Sequence, residues 1–331
     1  MKKYLKYLVI FLGVFGAILG GGIFAINRYY NATSFEEFEA IYQEQEIEEV
    51  EEIETAEEKE QRELDERYGK TRRVNILLVG IDGVRTDTLM VLSYDQEDNM
   101  LDIISIPRDT YIDLYGYRDP ARKKINSVYG YPEGRGGIKG TAEAVSKILG
   151  VTIHNYAVVD YKGVREIVDS IGGVEVDIPF RMVYDDPYDT PPLKIRFEKG
   201  KKLLDGEDAV KYLRWRKNNS GAAGGEGDLG RISRQQEFVM VAMKKAMNPI
   251  RLPNVISTGL QNTKTSLTLT EALYYGTKAL NMNDTDINAY SLPGEDRLEN
   301  GAWYFEHDRE KTRALMRNLY RGIRPVEDEG N

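Results

Sequence analysis

Three apolar runs within residues 74–107 constrain the fold of this 331-residue chain more than any other feature. VNILLVGI is uncharged and is followed by Asp and Gly, so its length and flanks read as a buried strand. TLMVLSYD and MLDIISIP read as two more strands, joined by a turn at Gln96–Asn99. Helices and strands then alternate. TAEAVSKILG reads as a helix, with Thr141 as its N-cap and Gly150 as its stop. HNYAVVD is a strand, YKGVREIVDSIGG a helix and VEVDIPF a strand. KYLRWRK reads as a short strand with alternating faces. ISRQQEFVMVAMKKAM and LTEALYYGTKAL are helices, and INAYSLPGE closes a last strand. The pattern is α/β, and about 250 residues suffice for one domain with one substantial core.

The ends of the chain have a different character. Lys2, Lys3 and Lys6 precede an uncharged, mostly apolar run from Tyr7 to Ile26, with Arg28 after it. About 20 helical residues cross a hydrocarbon core of roughly 30 Å. The lysines place the short N-terminus in the cytoplasm and the rest outside. A cleaved signal peptide is the alternative, but its apolar region would be shorter, and no clear A-x-A site precedes Asn27. Residues 32–70 carry 16 acidic and 4 basic side chains, so the net charge of −9 lives in a linker. That linker reads as a solvated stalk. The expected organisation is a cytoplasmic tail (1–6), an anchor (7–26), a linker (27–70), a domain (71–325) and a C-terminal tail (326–331).

Several chemistries are excluded at once. With no cysteine there are no disulfides and no thiolate metal sites. The two histidines, His154 and His307, are far apart in sequence and lack ligand spacing, so nucleophilic triads have little to work with. The domain is nearly balanced in charge and lacks the basic stripe that a nucleic-acid partner needs.

The strand ends carry the candidate chemistry. Asp82, Arg85 and Asp87 follow the first apolar run, and Arg108 follows the third. Carboxylates beside arginines offer hard oxygens to magnesium and planar cations to a diphosphate. A surface turn with a solvated salt bridge uses the same residues. If KYLRWRK is a strand, Arg214 and Arg216 share one face while Leu213 and Trp215 pack on the other. Two such guanidiniums suit an anion between them or separate surface acids. A glycine-rich loop, Asn218–Gly227, leads into the long helix, where Arg231 and Gln235 are four apart and share a face. It reads as a mobile loop that either folds over a headgroup or merely connects. Lys124 could add a phosphate contact. Gly134–Thr141 fits neither G-x-x-x-x-G-K-[ST] nor G-x-G-x-x-G and reads as a turn before a helix.

In their order along the chain, GIDGVRTDT, SIPRDTYI, KINSVYGY, VVDYKGVREIVDSIGGVEVDIP, LDGEDAVKYLRWRK, GDLGRISRQQEF and SLPGE resemble the LytR-CpsA-Psr family of cell-envelope proteins. The resemblance implies a three-layer α-β-α domain with a central mixed sheet and a lipid-accepting cavity. It also implies a magnesium-dependent phosphotransferase, with manganese as an alternative metal. Such an enzyme moves an anionic glycopolymer (teichoic acid, capsule or similar) from a polyprenyl-pyrophosphate carrier to peptidoglycan. Carried over by motif, Asp82 and Asp87 resemble the metal carboxylates, and Arg85, Arg108, Arg214, Arg216 and Arg231 the diphosphate-binding arginines. Gln235 resembles a supporting contact, and Asp228 occupies a position suited to a base. Many members carry a longer insertion after the first aspartate; here only Gly83 and Val84 precede Arg85, which makes Asp87 the safer metal ligand. A non-catalytic envelope or regulatory protein that binds wall polymer, and a lipid pyrophosphatase, are the competing readings.

Overall fold

The computed structural model describes residues 73–219 and 227–322, and only the backbone at residues 227–229 and 284. The N-terminal tail, anchor and linker expected over residues 1–70, and the C-terminal tail from 326, lie outside the described residues. Among the described residues no helix is long and apolar enough to cross a membrane.

The apolar runs are the centre of a six-stranded mixed sheet. β1 (Arg73–Asp82), β2 (Arg85–Asp95) and β3 (Met100–Ser105) form an antiparallel meander. β4 (Asn155–Val159) joins β1 in parallel, with β9 (Lys264–Thr265) antiparallel beyond it. β10 (Ile287–Ser291) lies parallel to β3, giving the order β10-β3-β2-β1-β4-β9. Alternation along the strands divides the core. Leu77, Val79, Leu89, Val91 and Ile104 face a layer formed by α1 (Gly137–Leu149) and α7 (Arg309–Tyr320). Met90, Leu101 and Ile103 face the other way, towards α4 (Gly227–Ala246) and α6 (Leu269–Ala279). The expected α-β-α layering is therefore observed.

A buried polar network crosses four strands. Arg73 on β1 donates to Asp102 on β3 (2.9 Å) and to Ser93 on β2 (3.0 Å), and pairs with Asp95 at 3.3 Å. Asn288 on β10 donates to the other Asp102 oxygen at 3.1 Å. This fixes strand order, because a slip of any one strand would strand a buried charge.

A second apolar cluster lies beside the sheet. It is built by α2 (Tyr161–Ser170), α3 (Gly206–Arg214), α4, the pair β5 (Val174–Ile178) with β8 (Gly200–Leu204), and the hairpin β6 (Met182–Asp186) with β7 (Leu193–Phe197). α5 (Leu252–Asn262) packs on α2 and α6.

Three expectations are corrected. KYLRWRK is not a strand: its first four residues end α3, and the chain becomes extended only at Trp215. Asp205 caps that helix by accepting from Asp208 N, and Glu207 and Asp208 fill its first turn, where acids are favoured. Thr141 is not an N-cap. α1 begins at Gly137, and the Thr141 hydroxyl donates to the Gly137 carbonyl at 2.8 Å. INAYS is not the last strand, since the hairpin β11 (Gly294–Glu299) with β12 (Ala302–His307) follows it.

Candidate functional site

β1 and β2 are joined by a two-residue turn, Gly83–Val84, with Gly83 at φ +60°. Asp82 and Arg85 face each other across it. One step into the hairpin the register breaks: Gly80 pairs with Thr88 and Ile81 with Thr86, leaving Asp87 as an extra residue on β2. Such a bulge re-aims a side chain. Here Asp87 and its neighbour Thr88 both line one cavity, whereas an unbroken strand would send them to opposite faces. Gly80 eases the close approach of the two strands here, since a Cβ would stand 3.1 Å from Thr88 Cβ.

The cavity holds about 680 Å³ and has two characters. Ile81, Val159, Val164, Leu193, Val210 and Leu213 give it apolar wall. Its polar groups are supplied by six separate segments: the β1–β2 hairpin, the turn after β3, the start of α2, β6, the end of α3 with the residues after it, and α4. Arg108 arrives from the turn after β3 and donates to Asp87 Oδ1 at 2.8 Å. Arg214 closes α3, where it donates to Asp189 Oδ2 at 2.8 Å and lies 4.7 Å over the Tyr161 ring. Arg216 follows two residues later, beyond the fully buried Trp215. Arg231 and Gln235 enter from one face of α4 and are almost wholly buried. Gln235 accepts from the Thr88 hydroxyl at 3.2 Å and donates to the Leu213 carbonyl at 3.4 Å, tying α4 to β2 and α3.

Tyr161 is a central group that sequence reasoning missed. It opens α2, directly after Asp160, which caps that helix by accepting from Gly163 N. Its hydroxyl stands 3.3 Å from Asp82 Oδ2 and 3.5 Å from Asp87 Oδ2. Burial, then the charges of Asp87 and Asp82, raise its pKa against the pull of Arg214, so the phenol keeps its proton. Asp189 was also missed; the hydrogen bond from Arg214 holds its carboxyl below the ordinary range. Burial opposes the charge on Arg214, but the hydrogen bond to Asp189, then Tyr161 and the nearby carboxylates, outweigh it and raise its pKa.

Of the ten residues proposed from sequence, Asp82, Asp87, Arg108, Arg214, Arg216, Arg231 and Gln235 line this cavity. Arg85 and Lys124 do not. Arg85 is exposed at the start of β2, where the short turn has no length to fold it inward. Lys124 is turned towards β12, pairing with Asp109 at 3.2 Å and lying 5.7 Å from the Tyr304 ring. Asp228 belongs to the first turn of α4, and its side chain lies outside the described residues. The loop Asn218–Gly227 is anchored at its start: Asn218 accepts from Val183 N (2.7 Å) and Trp215 Nε1 (3.3 Å), while Asn219 bridges the Asp185 backbone. Residues 220–226 lie outside the described residues.

Magnesium suits this donor set. Two carboxylates approach one hydroxyl that has a single proton to share, and hard oxygens are what the ion prefers. Among the described residues no three histidine or acidic side chains converge. Asp82 and Asp87 are the residues that would hold such an ion, which would supply Lewis-acid stabilisation there.

The LytR_cpsA_psr family model matches residues 38–321. The chain belongs to the LytR_cpsA_psr family. Among curated relatives it is 30% identical over 263 residues to polyisoprenyl-teichoic acid–peptidoglycan teichoic acid transferase TagV of Bacillus subtilis (strain 168), covering 76% of this chain. It spans about 64% of that relative's length. It is 30% identical over 319 residues to the correspondingly named TagU of Bacillus cereus (strain AH820), covering 92% of this chain and 93% of the relative. The crystal structure of B. subtilis TagV superposes with a TM-score of 0.63 at 29% identity, covering 78% of this chain and all of that one. The family assignment accords with the layered fold and with the ordered motifs.

Proposed function

We propose that this LytR_cpsA_psr protein is a phosphotransferase that moves an anionic glycopolymer, such as teichoic acid or capsule, from a polyprenyl-pyrophosphate carrier to a peptidoglycan hydroxyl. The observation that carries this reading is the joining of carboxylates and guanidiniums to apolar wall in one cavity. A lipid diphosphate has that same division between headgroup and chain. The names of the TagV and TagU relatives point to the same chemistry.

In the proposed reaction the acceptor hydroxyl attacks the phosphorus bonded to the sugar. The bond from that phosphorus to the bridging oxygen breaks, and polyprenyl phosphate leaves. Negative charge grows on the departing phosphate, and Arg214, Arg216 and Arg231, which line the cavity, would stabilise it by forked hydrogen bonds. Arg108 orients Asp87 by holding its Oδ1, and the Tyr161 hydroxyl lies between Asp82 Oδ2 and Asp87 Oδ2. Asp82 and Asp87 would hold magnesium, or manganese, which when bound supplies Lewis-acid stabilisation to phosphoryl oxygens. Asp228, by its place in the chain, is the carboxylate assigned to the acceptor's proton. The N-terminal apolar run would hold this domain on the outer face of the cell membrane.

The test incubates the purified full chain with a polyprenyl-pyrophosphate-linked saccharide, peptidoglycan oligomers and magnesium. Covalent product is expected, abolished by chelator and slowed on the order of 100- to 1,000-fold in Asp87→Ala. Product that forms equally well with chelator and in Asp87→Ala would overturn the proposal.

A further inference from the structure

The segment that leaves the cavity at Arg108 carries a second, unassigned constellation. Tyr115, Tyr117 and Tyr131 form a cluster of rings, with centroids 6.2 Å (Tyr115–Tyr117), 5.8 Å (Tyr115–Tyr131) and 5.0 Å (Tyr117–Tyr131) apart. Arg122 lies 5.0 Å over the Tyr117 ring and Arg135 lies 5.0 Å over the Tyr115 ring. Both arginines are exposed, while Tyr131 is buried and anchors the cluster by donating its hydroxyl to the Arg122 carbonyl.

The aspartates that could neutralise these arginines are committed elsewhere. Asp109 pairs with Lys124, Asp113 with Lys123 and the Gly116 amide, and Asp119 caps the turn at Pro120–Arg122. Arg118 adds a further exposed cation to the same segment. Residues 111–135 carry five basic and three acidic side chains, Glu133 among the acids, a net of +2 in a domain that is nearly neutral overall. Each guanidinium is also held in place on a ring, which lowers the entropy lost when it takes an oxyanion. The segment is tied to the cavity rim at two points. Asn126 N donates to the Arg108 carbonyl at 3.1 Å, and Gly130 packs so closely on the β1–β2 turn that a Cβ would stand 2.8 Å from Val84 O.

We infer that Arg122 and Arg135, seated on the Tyr115–Tyr117–Tyr131 cluster, form a docking shelf outside the cavity for a phosphate-bearing glycopolymer chain. Two exposed guanidiniums, each seated on a ring, suit the phosphates that recur along such a polymer, which they can take by forked hydrogen bonds. This deepens the proposed function by naming where the part of the donor beyond its diphosphate rests.

The test needs no turnover, so its failure is separable from failure of the transferase reading. Poly(glycerol phosphate) of about ten units, free of lipid, is titrated into the full chain in detergent micelles by calorimetry. The full chain is expected to bind it, with weaker binding at higher salt, and Arg122→Glu/Arg135→Glu to bind at least tenfold more weakly. Hydrogen exchange on the wild-type chain guards against misfolding of the variant: polymer should slow exchange in residues 111–135. No binding, equal binding by the variant, or unchanged exchange in that segment would overturn the shelf. So would anionic phospholipid vesicles losing affinity in the variant while the polymer does not, which would make the surface a membrane contact.

Discussion

Arg214 is held from two sides, by the Asp189 carboxylate and by the face of Tyr161, and so presents its remaining donors in a fixed direction. Preorganised donors of this kind are where rate is most sensitive to truncation. Arg214→Ala is expected to lower kcat/KM on the order of 100- to 1,000-fold. Arg85→Ala and Lys124→Ala, outside the cavity, should change it by no more than about twofold, as surface substitutions do. Steady-state kinetics on the three variants check this contrast. Tyr161→Phe keeps the ring beneath Arg214 but removes the hydroxyl shared by Asp82 and Asp87. A loss on the order of tenfold is expected, with KM for the lipid donor little changed, since a hydrogen bond to a charged group contributes about 1.5–3 kcal/mol. Asp82, Asp87 and Arg108 were legible in sequence because strand ends announce themselves through the apolar runs before them. Tyr161 and Asp189 were not, because what defines them is contact with partners 74, 79 and 25 positions away.

Among the elements, the β1–β2 hairpin shows how a local irregularity makes a site. Its strands were readable from their apolar runs, but the bulge at Asp87 is a matter of register, and a single strand's sequence carries no register. α3 was misread for a different reason. In so short a window, alternation in YLRWR imitates a strand, while the deciding signals, Asp205 and the acids after it, lie several residues upstream. The pairing of Arg214 with Arg216 survived the error, because the helix stops at Arg214 and both residues flank the buried Trp215. That geometry depends on Asn218, whose side-chain oxygen accepts from both Trp215 Nε1 and Val183 N. Asn218→Ala should cost about 1–3 kcal/mol, the penalty for unpaired buried donors, measurable by urea titration. It should also slow transfer by loosening Arg216.

For the whole molecule, the sheet order is secured by the Arg73 network and the flank by His154, whose Nδ1 accepts from Asn75 N at 3.0 Å. Burial lowers the His154 pKa from its ordinary 6.5, so the unfolded chain binds a proton that the folded chain resists. This stability is fully present above about pH 6.5 and is lost as pH falls below that value towards the folded pKa. Tm should therefore fall on acidification from pH 7 to pH 5, and His154→Gln, which cannot gain that proton, should flatten the slope. His307, lowered first by burial, would leave a residual slope in the variant. The layered architecture was legible because continuously apolar strands need helices on both faces; neither half-buried histidine was, since burial is a property of the assembled layers. The central claim is that this cavity moves a phosphoryl-linked polymer onto a hydroxyl, and the fate of one phosphorus tests it most directly. A donor carrying ³²P in the phosphate next to the sugar, supplied with peptidoglycan to the full chain, should deliver its label covalently to the peptidoglycan. Label that stays on the lipid, or that appears only in free, water-released polymer, would contradict the account.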